Sequence, residues 1–197
     1  MVTAEEKHRR RSQYRTERAA LAHDDEHLRH LNAQLLTHIR QVLDATSPTS
    51  IAAYCPLPGE PGGPDLVENL HRTVPTVWLP ISLPGGVLNW TAYQGADAMR
   101  PGALGISEPA GPREPTRRLL DCPLILIPAL ACHPSGVRMG QGAGYYDRAL
   151  AELRRHPNPP KVIALLHPGE IREDVPIEPH DQPVDLILTA EGPVSPR

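Results

Sequence analysis

Residues 123–128, PLILIP, form an uninterrupted apolar run closed at both ends by proline. A strand with no polar face has to be covered on both sides, so this segment calls for a sheet with layers above and below it. The chain around it alternates in the same sense. Residues 51–54, 76–79, 87–93, 162–166 and 184–188 read as further strands, and Pro84-Gly85-Gly86 reads as a hairpin turn. Between them lie helical stretches. One starts near Asp24, carries Leu28, Leu31, Leu35, Ile39 and Val42 at helical spacing, and stops at Ser47-Pro48. A short one covers 65–72, and another runs through Arg155. Strands alternating with helices predict an α/β sheet. With no repeat and no linker, the 197 residues read as one domain, 1–197. The Pro- and Gly-rich stretch 95–116 reads as an ordered loop.

Composition narrows the function classes. The 24 prolines, about 12% against a usual ~5%, punctuate apolar segments and do not form a tract. No run of 18 apolar residues is present, which argues against a membrane span. The first residues are charged, which argues against a secretory signal. A net charge of −3 argues against general nucleic-acid binding. Three cysteines, Cys55, Cys122 and Cys132, contain no CxxC pair and suit a reducing, cytoplasmic setting. His23, His27 and His30 have helical spacing, but no acid or thiol ligand set accompanies them, so they read as a solvated face.

The N-terminus is unusual. Thr3 and Glu6 have the spacing of a capping box. The helix they open carries Lys7, Arg9, Arg10, Arg11, Arg15 and Arg18 with almost no apolar face, so it has to lie on another part of the chain or on a ligand.

The sharpest segment is RMGQGAGYYDR, Arg138 to Arg148. Gly140, Gly142 and Gly144 alternate and a helix follows. Glycines allow a close backbone approach, and free N–H groups at a helix start attract phosphate. Arg138 and Arg148 are candidates for charge-assisted contacts to phosphate oxygens, and Asp147 for a nucleotide-borne magnesium ion. The spacing is neither GxGxxG nor a P-loop. On residue types alone, a glycine-rich turn packed on a strand accounts for it equally well.

The order of residues goes further. GQGAGYYDR closely resembles the G-x-G-x-G-Y-Y-D-R signature of the 5-formyltetrahydrofolate cyclo-ligases, also called methenyltetrahydrofolate synthetases. ILIPALA resembles the strand before that loop, and Gly136 with Arg138 the family's G-x-R. LGISEP, with Glu108 and Pro109, resembles its G-I-x-E-P. The segment with His180, Asp181 and Thr189 resembles P-x-E-x-H-D…D-x-x-x-T, and Lys7 with Arg11 the N-terminal K-x-x-x-R. The resemblance runs from about Lys7 to Gly192.

It implies an α/β fold of one domain, an open and mostly parallel sheet flanked by helices, with the basic helix packed over the nucleotide site. It implies an ATP-dependent closure of 5-formyltetrahydrofolate to 5,10-methenyltetrahydrofolate, with ADP and phosphate released and a phosphorylated formyl intermediate. ATP and the folate, with or without a polyglutamate tail, are the implied partners; magnesium accompanies ATP, and the enzyme is expected as a cytoplasmic monomer. By position, Arg138, Tyr145 and Asp147 are the catalytic candidates. Lys7, Arg11, Arg138, Gly140, Gln141, Gly142, Ala143, Gly144, Tyr145 and Tyr146 would bind ATP. Cys55, Glu60 and the 141–145 segment would bind the folate, and Asp147 and Asp181 the metal. Trp78, Trp90 and Tyr93 are expected in the core, and His180 as a turn residue. Two departures stand out: His133 replaces a family Asp and reads as solvent-facing, and Arg10 replaces a Leu. The rival readings are a non-catalytic nucleotide- or folate-binding paralogue with a regulatory role and an RNA-interaction protein. A further rival is a different small-molecule enzyme of related fold.

Overall fold

The computed structural model describes residues 4–102, 105–178 and 180–197. Thr3, the expected N-cap, lies outside them. The basic helix α1 spans Ala4–Leu21 and the amphipathic helix α2 spans Asp25–Thr46. Asp24 caps α2 by accepting from the His27 N–H at 3.0 Å. Ser47 ends it in a left-handed conformation, its N–H returning to the Leu43 carbonyl at 2.7 Å. Leu31, Leu35, Ile39 and Leu43 are its buried stripe.

An eight-stranded sheet follows. In chain order its strands are β1 (Ser50–Ala52), β2 (Thr76–Leu83), β3 (Val87–Ala92), β6 (Glu114–Pro115), β7 (Leu124–Pro128), β10 (Lys161–Leu165), β11 (Leu186–Thr189) and β12 (Gly192–Val194). Two small pairs complete the set: β4 (Met99–Pro101) with β5 (Ser107–Pro109), and β8 (Ala131–Cys132) with β9 (Arg138–Met139). The spatial order is β12-β11-β10-β7-β1-β2-β3-β6. The central strands β11, β10, β7, β1 and β2 are parallel, and the flanking ones antiparallel.

The apolar runs feed two cores. In β7, Leu124 and Leu126 face one layer with α2 and α3 (Leu66–Thr73), while Ile125 and Ile127 face the other with α4 (Tyr145–Leu153). β10 alternates likewise, Ile163 and Leu165 against Val162 and Ala164. This is the two-sided covering that PLILIP requires. Trp78, Trp90 and Tyr93 are all in these cores. Among the described residues no helix is long and apolar enough to cross a membrane.

Two expectations are corrected. The 95–116 stretch is not only a loop: it contributes β4, β5 and the edge strand β6. β2 continues through Pro80 to Leu83, beyond the expected end at Leu79. Its neighbour β1 pairs only with Thr76, Val77 and Trp78, so the proline sits where β2 is flanked on one side, and there it is tolerated. Helix α1, with little apolar surface of its own, lies on another part of the chain as expected. Tyr14 packs with Leu130, Ala131, Met139 and Val175, and Arg18 is buried beside them.

Candidate functional site

From β1 the chain moves through α3 to β2 on one side. From β7 it moves through α4 to β10 and β11 on the other. The topology therefore switches between β1 and β7, and the crevice beyond the carboxyl ends of such strands is where open α/β sheets take ligands. A cavity of about 260 Å³ lies there. Tyr54, Cys55, Leu57 and Glu60 line it from beyond β1, Ala129 and Leu130 from beyond β7, and Pro80 and Ser82 from β2.

The glycine segment forms another wall. After Leu130 the chain makes the β8–β9 hairpin and enters the loop 140–144, which delivers it to the N-terminus of α4. Gly144 stands at the N-cap with φ 67°, a conformation costing an ordinary L-residue about 1–2 kcal/mol. No side chain caps this helix, and Gly144, Tyr145, Tyr146 and Asp147 line the cavity. Gly142 has φ 108°, and a Cβ there would sit 3.4 Å from the Arg11 guanidinium. The Arg15 Nε donates to Gln141 Oε1 at 2.8 Å, and its Nη2 to the Gln141 carbonyl at 2.9 Å. Helix α1 thus lies directly on the glycine loop.

The charges sit around this wall. Arg138 is buried; its Nη1 donates to the Gln182 carbonyl at 2.9 Å, and its Nη2 lies 3.0 Å from Asp147 Oδ1. That contact is a charge pair without hydrogen-bond alignment, since the same oxygen has no hydrogen-bond partner. Lys7 Nζ is 2.6 Å from Glu178 Oε2 and 3.1 Å from Asp181 Oδ2. Asp181 Oδ2 also accepts the Glu178 N–H at 2.8 Å, closing a tight turn. Glu178, His180 and Asp181 each offer a ligand atom within 4.8 Å of the others, and His180 is exposed. Asp147 is not part of that group, so the two expected metal carboxylates are held by different cations. Arg11 reaches the cavity with a buried Nε that has no hydrogen-bond partner.

Tyr145 donates to the Leu83 carbonyl at 3.2 Å. Burial pushes the Tyr54 and Tyr146 phenols well above their ordinary range, so both stay neutral. Burial also pushes the Cys55 thiol up to about 11, so it carries no thiolate at neutral pH.

Glu60 is 6% exposed, where an isolated loop carboxylate is normally on the surface. Its Oε2 accepts the Leu57 N–H at 3.0 Å, yet desolvation outweighs this and raises its pKa. The folded state then holds the proton more tightly than the unfolded one. Stability falls as pH rises from the ordinary carboxylate range through the raised value, and stays lower above it. Glu60→Gln is expected to unfold at a higher temperature than wild type near neutral pH, with the advantage disappearing in acid. Thermal unfolding between about pH 4 and pH 8 checks this. A variant that is less stable at every pH would contradict it.

The residues that the family resemblance nominated, from Lys7 and Arg11 through Cys55, Glu60 and the 138–147 segment to Asp181, all line this cavity. Arg148 does not. Its Nε donates to the Gly86 carbonyl at 2.9 Å and its Nη2 to the Ala143 carbonyl, so it braces the glycine loop against the β2–β3 hairpin and is unavailable to phosphate. Gly86 has φ 74°, which favours glycine, and a Cβ there would lie 1.5 Å from the guanidinium and displace it. His133 is half-buried, not solvent-facing: its Nδ1 accepts the Ser135 N–H at 3.1 Å, and its Nε2 lies 3.4 Å from Glu173. Glu178 was missed, although the P-x-E-x-H-D pattern contained it.

The comparisons with known proteins bear on the family and the fold. The family model described as the 5-formyltetrahydrofolate cyclo-ligase family matches residues 3–190. The 5-formyltetrahydrofolate cyclo-ligase of Mycolicibacterium smegmatis is 35% identical over 150 residues, covering 71% of this chain and 73% of that protein. The Escherichia coli K12 protein of the same name is 27% identical over 142 residues, covering 71% and 77%. Among solved structures, the Aquifex aeolicus 5,10-methenyltetrahydrofolate synthetase superposes with a TM-score of 0.80 at 24% identity, covering 97% of this chain and 93% of that one. The Mycoplasma pneumoniae 5,10-methenyltetrahydrofolate synthetase superposes at 0.72 with 20% identity, covering 93% and 98%. With the glycine loop, the basic helix and the switch-point cavity all in place, and the family model matched over nearly its whole length, the chain belongs to the 5-formyltetrahydrofolate cyclo-ligase family.

Proposed function

We propose that the protein closes 5-formyltetrahydrofolate to 5,10-methenyltetrahydrofolate at the expense of ATP, releasing ADP and phosphate. The observation that carries the reading is the composition of the single switch-point cavity. One wall has the glycine loop, an uncapped helix N-terminus and three basic side chains, Lys7, Arg11 and Arg138. The other has a largely apolar lining with one buried carboxyl group, Glu60. The first suits a triphosphate and the second a pterin with its formyl group.

The chemistry follows from the substrate. A formyl oxygen is a poor leaving group and N10 a weak nucleophile. Transfer of the γ-phosphoryl group to the formyl oxygen, with ADP leaving, makes the formyl carbon electrophilic. N10 then adds within the same molecule, with the advantage of proximity. Loss of the N10 proton and of phosphate completes the methenyl bridge. Arg138 and the N–H groups of 142–146 stabilise charge on the moving phosphoryl group. Lys7 and Arg11 hold the remaining phosphates, and Tyr145 and Gln141 border the formyl end. Glu60 and the Cys55 backbone orient the folate.

The donors fit magnesium. Asp147, Asp181 and Glu178 offer carboxylate oxygens, the ligands it prefers, and the Lys7 ammonium between two of them marks a place that attracts positive charge. When bound with the nucleotide, the ion neutralises phosphate charge.

The test is direct. Purified protein with ATP, magnesium and 5-formyltetrahydrofolate is expected to produce the near-UV absorbance of the methenyl product, only when ATP is present. Asp147→Ala is expected to lose most of that rate while remaining folded. Nucleotide binding without any product from folded wild type would overturn the reading in favour of a non-catalytic paralogue.

A further inference from the structure

The buried guanidinium of Arg18 has no part in the chemistry above. It lies about two helical turns beyond Arg11 on α1, and its side chain is 6% exposed. Its fork grips Glu170 with both arms, Nε to Oε1 at 2.8 Å and Nη2 to Oε2 at 2.7 Å. The same Nη2 donates to the Ala129 carbonyl at 2.6 Å and approaches the Leu130 carbonyl at 3.3 Å. Both residues, just beyond the end of β7, line the cavity next to Pro128.

The contacts continue from Glu170. Its Oε2 accepts the His167 N–H at 2.8 Å, just beyond the end of β10. The His167 ring reaches across to the loop after β1, with Nε2 3.0 Å from the Gly59 carbonyl. A carbonyl only accepts, so Nε2 carries the hydrogen. Gly59 precedes Glu60 and packs against the end of α1; a Cβ there would lie 3.1 Å from that of Ala22. One cation therefore ties together the ends of three parallel strands, β7, β10 and β1, all on the side of the cavity assigned to the folate.

We propose that Arg18 is a positioning residue for the folate. It sets Ala129 and Leu130 directly, and sets the Glu60 loop through Glu170 and His167. This rests on the functional reading above and adds the residues that shape its folate half. Neither Arg18 nor His167 lines the cavity, so their effect on binding has to pass through the backbone they hold. Because α1 also presents Lys7 and Arg11 to the other half, one helix carries the supports of both.

The experiment measures binding of 5-formyltetrahydrofolate and of ATP separately, by calorimetry, with KM values for each wherever turnover is seen. His167→Ala breaks only the link to Gly59 and leaves the Arg18–Glu170 pair. Arg18→Lys keeps the charge but loses the fork. Both are expected to weaken folate binding about tenfold while changing ATP binding less than about twofold, and the double variant to be no worse than the weaker-binding single. A purely structural role would lower the active fraction or raise both apparent dissociation constants by the same factor. Wild type that binds both ligands, with variants unchanged or equally impaired for both, overturns this proposal alone. Wild type that binds neither ligand overturns the functional reading and this proposal with it. Partial unfolding of Arg18→Lys raises both apparent constants by the same factor, so the ratio of the folate effect to the ATP effect still reads the proposal.

Discussion

Arg138→Ala is expected to lower kcat/KM for ring closure by about 10²–10³, the usual effect of removing one preorganised donor from a developing anion. Three features make it the most sensitive position. Its side chain is 3% exposed, so water cannot replace the guanidinium. Its second arm is fixed on the Gln182 carbonyl, so the group is already oriented before substrate arrives. Among the described residues its charge is opposed by Asp147 alone, at 3.0 Å and without an aligned hydrogen bond, and is therefore open to exchange for a phosphoryl oxygen. Arg138→Lys is expected to recover only part of the loss, because an ammonium cannot hold the carbonyl and a phosphoryl oxygen in the same fork. Steady-state rates from the methenyl absorbance check both variants. A loss confined to KM for the folate would remove Arg138 from the phosphoryl-transfer step.

The second large effect is expected at Lys7. Its ammonium lies between Glu178 and Asp181, with a side chain 12% exposed. As a phosphate ligand it supplies a charge-assisted hydrogen bond worth about 1.5–3 kcal/mol, so Lys7→Ala should raise KM for ATP about ten- to hundredfold. KM for the folate should move little. The variant also leaves two part-buried carboxylates facing each other without their cation, a like-charge contact that opposes folding. Lower thermal stability at neutral pH is the expected accompaniment. An unchanged KM for ATP in a destabilised Lys7→Ala protein would assign Lys7 to structure alone.

Much of this was legible along the chain. The PLILIP run announced a strand covered on both faces, and β7 alternates between two cores as that requires. Asp24 and Ser47-Pro48 marked the limits of α2, because capping and proline chemistry act over a few residues. The strands of the 95–116 stretch escaped notice because they are two or three residues long and lack periodicity; partners in the fold, not local preference, make them strands. Arg148 looked like a phosphate ligand beside the glycine loop, but Gly86, 62 residues away in sequence, claims it.

The sequence alone therefore determined the local matters: which segments alternate, where glycines permit a left-handed backbone, and which motif the loop belongs to. The tertiary structure decided which charge meets which. Lys7 and Asp181 are 174 residues apart in sequence, and Arg18 and Glu170 are 152 apart. No spacing rule predicts such pairs. They form because the parallel order of β1, β7 and β10 brings three chain-distant loops to one edge of the sheet, where α1 crosses them. A buried cation there must find an anion or a carbonyl. The burial of Glu60 has the same origin: only the assembled edge removes its carboxyl group from water.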